Sequence, residues 1–274
     1  MSVFVFLTKD SESYLETNIQ TLKQLSKIVD GPVGVVYVEN DSKDNTKSIL
    51  QKQFHNTAEF GNRVRGIHLT LDGKSSIELC KLKSNCKSRV RRLAHLRQIA
   101  LENALDFKFA KHIIIIDMDF VHIDIDVFKN EVWPKRHDAD AVCGMSVRSD
   151  DITCPYDVGA IRPMNAIFPI LTQSEPVRVK SAFSGFCIYS ADSLRQKSAK
   201  YDLECNEIEH ISLNKCLDNI LVIPQFRVVY HANNSNTLYL IPLRFNLAPN
   251  RGMILYSIVL LLVILIICVV GIIS

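Results

Sequence analysis

The chain has 274 residues, enough for one large domain or two small ones with a substantial core. A formal net charge of +3 gives no reason to expect a nucleic-acid partner, and eight cysteines without a C-x-x-C pair argue against a zinc ribbon and for reduced structural thiols. Hydrophobic residues reach 47%, but the excess is concentrated at the C-terminus rather than spread along the chain.

Residues 2–8, SVFVFLT, form a β-rich run, and over 11–27 Tyr14, Leu15, Ile19, Leu22 and Leu25 recur at helical spacing. Gly31 and Pro32 interrupt before a second apolar strand, VGVVYVEN, over 33–40; Asp41 or Ser42 can then cap a helix over 44–54. A third strand is expected over 63–71, a long helix over 88–108, and a fourth strand, HIIII, over 112–116. Asp124 and Asp126 read as the cap and first turn of a further helix. Strands alternating with helices imply a mostly parallel sheet covered on both faces, whose buried strands read as unbroken apolar runs. After residue 137 the pattern is less regular: 138–147 and 177–183 read as strands, 206–217 as a helix, and 221–231 as one or two strands ending at His231. Residues 253–274 hold 22 positions without a charge. As a helix they would extend roughly 33 Å, enough to cross a hydrocarbon core. With no secretory signal at the N-terminus and Arg244 and Arg251 preceding the run, a single-pass C-terminal tail anchor is expected, the folded domain facing the cytosol.

In sheets of this kind ligands gather at the carboxyl ends of the strands, and the acidic clusters over 39–44 and 117–119 both fall there. Side chains at i and i+2 of an extended segment share a face, so Asp117 and Asp119 would present two carboxylates to one point. Two such anions repel, and Mg²⁺ or Mn²⁺ completed by phosphate oxygens is their natural partner. The blander source of an Asp-x-Asp triplet is a strand that simply ends, because Asp is depleted in strands and frequent in turns. Lys81, Lys83, Lys87, Arg89, Arg91, Arg92 and Arg97 run without an intervening acid, which is ordinarily a solvated face and otherwise a site for a phosphorylated ligand or an anionic membrane. Arg97 stands apart: it falls on the stripe of Leu93, Ala94, Ala100 and Leu101 and needs an anion, either a diphosphate or Asp117.

The segments VYVENDSKDNT (36–46), RVRRLAHLRQIALENAL (89–105), IIIIDMDF (113–120), YDVGAIR (156–162), EIEHISL (207–213) and VVYHANN (228–234) occur in an order that resembles nucleotide-sugar glycosyltransferases of the GT-A fold. The similarity is greatest to fungal mannosyltransferases of the Golgi and capsule-associated types, over roughly residues 2–235. What the resemblance implies is an α/β, Rossmann-like mixed sheet with helices on both faces. Glu39, Asn40 and Asp41 would contact the nucleoside; Asp117 and Asp119 would hold the metal and meet the ribose or diphosphate; His231 would complete the metal shell; and Glu207 or Glu209 would serve as general base in an inverting reaction. From the residues alone, a helix-capping acid is the plainer role for Glu209, and Ser184-Gly185 marks either a bulge or a close backbone approach to a sugar.

The organisation expected is a glycosyltransferase domain over 1–235 (nucleotide-binding half to about 125, acceptor half beyond), a linker over 236–252 and the anchor over 253–274. The function expected is metal-dependent transfer of a sugar, a hexose in particular, from a nucleotide-diphosphate donor to a glycan, glycoprotein or lipid-linked acceptor at a membrane. The rivals are a sugar nucleotidyltransferase, weakened because FVFLTKDSESY lacks the usual Gly-rich loop, and a silent membrane-tethered binding or scaffold protein.

Overall fold

A computed structural model describes residues 1–55, 60–70, 85–152, 154–204 and 207–231, all within the unit Met1–Ala232. Strands β1 (Ser2–Thr8), β2 (Val33–Asn40), β3 (Val64–Leu69) and β4 (His112–Ile116) alternate with helices α1 (Glu12–Ser26), α2 (Thr46–Leu50) and α3 (Asn85–Leu105). The strands pair in parallel in the order β3-β2-β1-β4. Successive side chains of a strand point to opposite faces. Ile113 and Ile115 therefore join Val3, Val5, Val36 and Val38 in one core with Ala94, Ala100, Leu101 and Ala104 of α3. Ile114 and Ile116 join Phe4, Phe6, Val35 and Tyr37 in the other, with Leu15, Ile19, Leu22 and Leu25 of α1. A strand buried on both sides needs no polar alternation, which accounts for the unbroken isoleucines.

The remaining strands are β5 (His122–Ile123), β6 (Ala141–Arg148), β7 (Val177–Val179), β8 (Phe186–Ser190) and β9 (Ile220–Tyr230). The strand expected over 177–183 is confined to its first three residues, while β8, which follows Ser184-Gly185, stands at the centre of the sheet. β8 runs antiparallel to both β4 and β6, and β6 runs parallel to β9, so the sheet is mixed. This topology brings four pieces of chain to one end: the ends of β4, β6 and β9 and the start of β8. Asp124 caps the short helix Ile125–Val127 that follows β5, its Oδ1 accepting from the Asp126 and Val127 amides at 3.0 Å each.

Two expectations are corrected. Among the described residues no helix is long and apolar enough to cross a membrane, so neither the C-terminal anchor nor the cytosol-facing topology drawn from it is supported. Residues 253–274, with the linker over 236–252, lie outside the described residues. That expectation rested on hydropathy, which reports how poorly side chains tolerate water and not whether they form a continuous helix of bilayer length. The second correction concerns the thiols. Cys143 on β6 and Cys187 on β8 are direct partners in register, their Cα atoms 4.1 Å apart, and are joined by a disulfide.

Peptide mapping without reductant is expected to recover Cys143 and Cys187 in one linked pair; alkylation of both would contradict this. With a sequence separation of 44 between the two, their joint replacement by alanine is expected to remove about 2–4 kcal/mol of stability, read from the denaturant midpoint.

Candidate functional site

Asp117 is the residue at which β4 leaves the sheet. Its amide donates to the Gly185 carbonyl at 2.9 Å, one rung beyond the paired strands. Asn18 of α1 donates from Nδ2 to the carbonyls of Met118 and Phe120, at 2.8 Å each, and so clamps the turn. Met118 is buried in the α1 core, and the two aspartates flanking it stay partly exposed.

Behind this turn sits Arg97, on the buried face of α3 and only 8% exposed. Its Nη2 donates to Asp117 Oδ1 at 2.9 Å and its Nε to Glu209 Oε1 at 3.0 Å. The guanidinium carbon lies 5.1 Å from the centre of the Phe183 ring. A cavity of about 10 Å³ beside it, bounded by Val5, Leu7, Ala100, Ile115 and Tyr201, has room for one water. Burial favours loss of the arginine's proton, but Asp117 and then Glu209 outweigh it and the net shift is upward, so the charge stays. Glu209 opens the short helix Glu209–Asn214. The next residue, His210, stacks on Phe183 at 3.5 Å with its Nδ1 3.3 Å from the Tyr201 hydroxyl. Burial, then the charge of Arg97, keep this imidazole neutral, with its pKa well below the usual value.

In front of the turn the balance is reversed. Loss of solvent, then repulsion from Asp117, push the Asp119 carboxyl up to about 7. The same two causes in the same order push Asp157 up to about 6. Asp157 nonetheless keeps an exposed surface and Asp119 a partly exposed one. Both therefore line a recess that water enters but does not fill, not a dry interior. Tyr230, the last residue of β9, places its phenol within electrostatic reach of Asp117, Asp119 and Asp157, and burial first, then these acids, push its pKa far up. Its ring stacks on Tyr156 at 4.6 Å. Gly185 makes room for it: the backbone there has φ +81°, and a Cβ would overlap the Tyr230 hydroxyl.

The structure thus joins three of the expected site residues, Arg97, Asp117 and Glu209, by direct ion pairs, with Asp119 beside them. For Arg97 the anion is Asp117, with Glu209 as a second that the sequence did not indicate. Glu39 and Asn40 end β2 and Asp41 follows it, with β1 between them and β4, so they stand roughly 10 Å along the same edge. Glu39 is fully buried, accepting from the Ser42 amide at 2.7 Å with His68 Nδ1 at 3.2 Å; Asp41 has φ +57°, and its amide donates to Leu69 at 3.3 Å. Glu207 is exposed ahead of the short helix, and His231 is exposed directly after Tyr230. Among the described residues no three His, Cys, Asp or Glu side chains converge into a ready metal cage. Asp157 and Tyr230 went unassigned in the sequence, although YDVGAIR and VVYHANN contain them; no period marks either.

No protein-family model matches the sequence, and no curated protein does. The fold does have relatives. Residues 1–349 of S. aureus TarS in complex with UDP match at a TM-score of 0.52 and 16% identity, over 84% of this chain and 60% of that one. The mannosyltransferase PcManGT from Pyrobaculum calidifontis, in complex with GDP-Man and Mn²⁺, matches at 0.51 and 14%, over 83% and 56%. GalNAc-T7 with UDP, GalNAc and Mn²⁺ matches at 0.50 and 14%, over 84% and 44%. The neighbours are GT-A-type glycosyltransferases, and at these identities the likeness shows a GT-A-like fold. The chain spans between 44% and 60% of their lengths.

Arg97→Met would leave two carboxylates without their cation and is expected to cost about 3–5 kcal/mol, measured by chemical unfolding; a loss below about 1 kcal/mol would show the pairs to be ordinary surface contacts. Asp119 makes the opposite contribution. Its folded pKa, near 7, lies above that of the unfolded chain, so the folded state holds the extra proton and stability falls as pH rises from about 4 to 7. In metal-free buffer at pH 8, Asp119→Asn is expected to melt roughly 4–8 °C above the unmodified chain, with the two converging near pH 4. Equal melting at pH 8 would contradict this.

Proposed function

We propose that the protein is a metal-dependent glycosyltransferase that moves a sugar from a nucleotide-diphosphate donor to a hydroxyl acceptor on a glycan, glycoprotein or lipid. The observation that carries this reading is the surplus of negative charge at the end of β4, at the edge of a GT-A-like sheet where such folds hold their ligands. Arg97 offsets Asp117 and Glu209 from behind; in front, Asp119 and Asp157 share no described cation within bonding distance.

The residues fit a hard divalent ion. Their donors are carboxylate oxygens without thiolates, and their raised pKa values mark a recess short of positive charge. Asp117 and Asp119, with His231 beyond β9, would hold Mn²⁺ or Mg²⁺, which when bound neutralises charge developing on the diphosphate leaving group. Such ions commonly take one or two carboxylates and fill their remaining positions with substrate phosphates and water, which accords with a site that has no complete protein cage among the described residues.

The other roles belong to the chain itself. Asn18 and the Gly185 carbonyl fix the turn that presents the two aspartates. Arg97 orients Asp117 and Glu209 orients Arg97, so both position the site from behind rather than touch the donor. Glu39 shapes the loop after β2, leaving Asn40 and Asp41 to meet the nucleoside. Hexosyl transfer belongs to this proposal.

A panel of UDP-, GDP- and CMP-sugars, scored by calorimetry and by release of free sugar, tests the reading. Nucleotide diphosphate is expected to bind only with Mn²⁺ or Mg²⁺, and Asp119→Ala to lower turnover at least about 100-fold while the fold is kept. Binding unchanged in EDTA, or no turnover of any donor, would favour a silent binding protein.

A further inference from the structure

The resemblance implies a general base at Glu207 or Glu209, but a base must reach the acceptor hydroxyl. Glu209 is turned inward, its side chain 7% exposed and ion-paired to Arg97 at 3.0 Å. Glu207 is exposed, ahead of the short helix that Glu209 opens.

Asp157 has the opposite disposition. Its loop is tied to the site end of the sheet through the main chain. The Asp157 amide donates to Ser146 Oγ at 2.8 Å, and the Tyr156 amide donates to the Ser146 carbonyl at 3.0 Å. The Asp157 carbonyl accepts from the hydroxyls of Ser184 and Ser146, and Ser184 Oγ accepts in turn from the Ser146 amide at 2.9 Å. Ser184 precedes Gly185, whose carbonyl holds the Asp117 amide, so the Asp157 loop and the Asp-x-Asp turn hang from consecutive residues. Tyr156 adds a stack on Tyr230 at 4.6 Å. None of these anchors uses the carboxylate. Its Oδ1 accepts only from the Gly159 amide, at 3.2 Å, and among the described residues Oδ2 accepts nothing. A rigidly mounted, solvent-exposed carboxylate on a loop hung beside the Asp-x-Asp turn has the reach that Glu209 lacks.

Resting on the transferase reading above, we infer that Asp157 accepts the proton of the attacking hydroxyl. In that step the acceptor oxygen forms a bond to the anomeric carbon of the donor sugar. The bond from that carbon to the diphosphate oxygen breaks, its electron pair leaves with the diphosphate, and the hydroxyl proton passes to Asp157 Oδ2.

The full chain with Mn²⁺, GDP-mannose and UDP-GlcNAc tests the assignment, with water as acceptor. Asp157→Asn keeps the oxygen that serves Gly159 and leaves every main-chain anchor in place. It is expected to lower kcat about 10²–10⁴-fold while KM for the donor and Kd for GDP or UDP stay within about threefold. In Asp157→Ala, added formate is expected to recover at least about tenfold of the lost rate, which a structural role would not allow. Turnover of the Asn variant within about threefold of the unmodified chain overturns the assignment, as does nucleotide or Mn²⁺ affinity lost in step with turnover. An unmodified chain that turns over neither donor overturns the transferase reading and this assignment together, whereas a working chain matched by its Asn variant overturns this assignment alone.

Discussion

The site depends on one buried guanidinium. Arg97 joins Asp117, 20 residues away in sequence, to Glu209, 112 residues away. A charge this enclosed is tolerable only when its donors are matched by anions, and each anion in turn relies on the same arginine. The long helix, the end of the central strand and the short helix near the end of the described chain are therefore brought together by a condition of folding. The geometry that presents Asp117 to the recess and the stability of the core share one cause.

That arrangement leaves a charge imbalance with a direction. Arg97 serves Asp117 and Glu209 on the core side, while Asp119 and Asp157 face the recess and resist ionising. A fold selected for stability alone would gain by replacing either acid with a neutral residue. Carboxylates held against their own repulsion in a water-accessible recess are characteristic of places where a cation or a proton is handled. The Tyr156–Tyr230 stack walls that recess, and the serine pair Ser146 and Ser184 fixes its floor without using up its acids.

Much of the scaffold was legible in the sequence. Four isoleucines with no polar alternation suit a strand covered on both faces, and Ile113 to Ile116 divide between two cores as that requires. The first four strands and three helices fall close to where periodicity puts them, and Asp124 caps as its position suggests. What escaped was relational. β8 is a five-residue run whose antiparallel insertion between β4 and β6 is set by the strands around it, and the Cys143–Cys187 bond depends on that insertion. Arg97 visibly needed an anion, and Asp117 was one of two anticipated; the second partner, Glu209, lay too far along the chain for any periodicity to join them. Asp157 sat in a quoted motif, but its importance comes from the loop that carries it back to Ser146 and Ser184. The hydropathy of 253–274 was equally plain and led to an anchor that the described helices do not support.

The most direct measurement is anomalous diffraction at the manganese edge from crystals grown with Mn²⁺ and GDP or UDP. One strong peak per chain is expected at the end of β4, within bonding distance of Asp119 and of a diphosphate oxygen, with the Arg97–Asp117 pair intact behind it. A peak held by other residues, or nucleotide bound at full occupancy with no manganese beside Asp119, would contradict it.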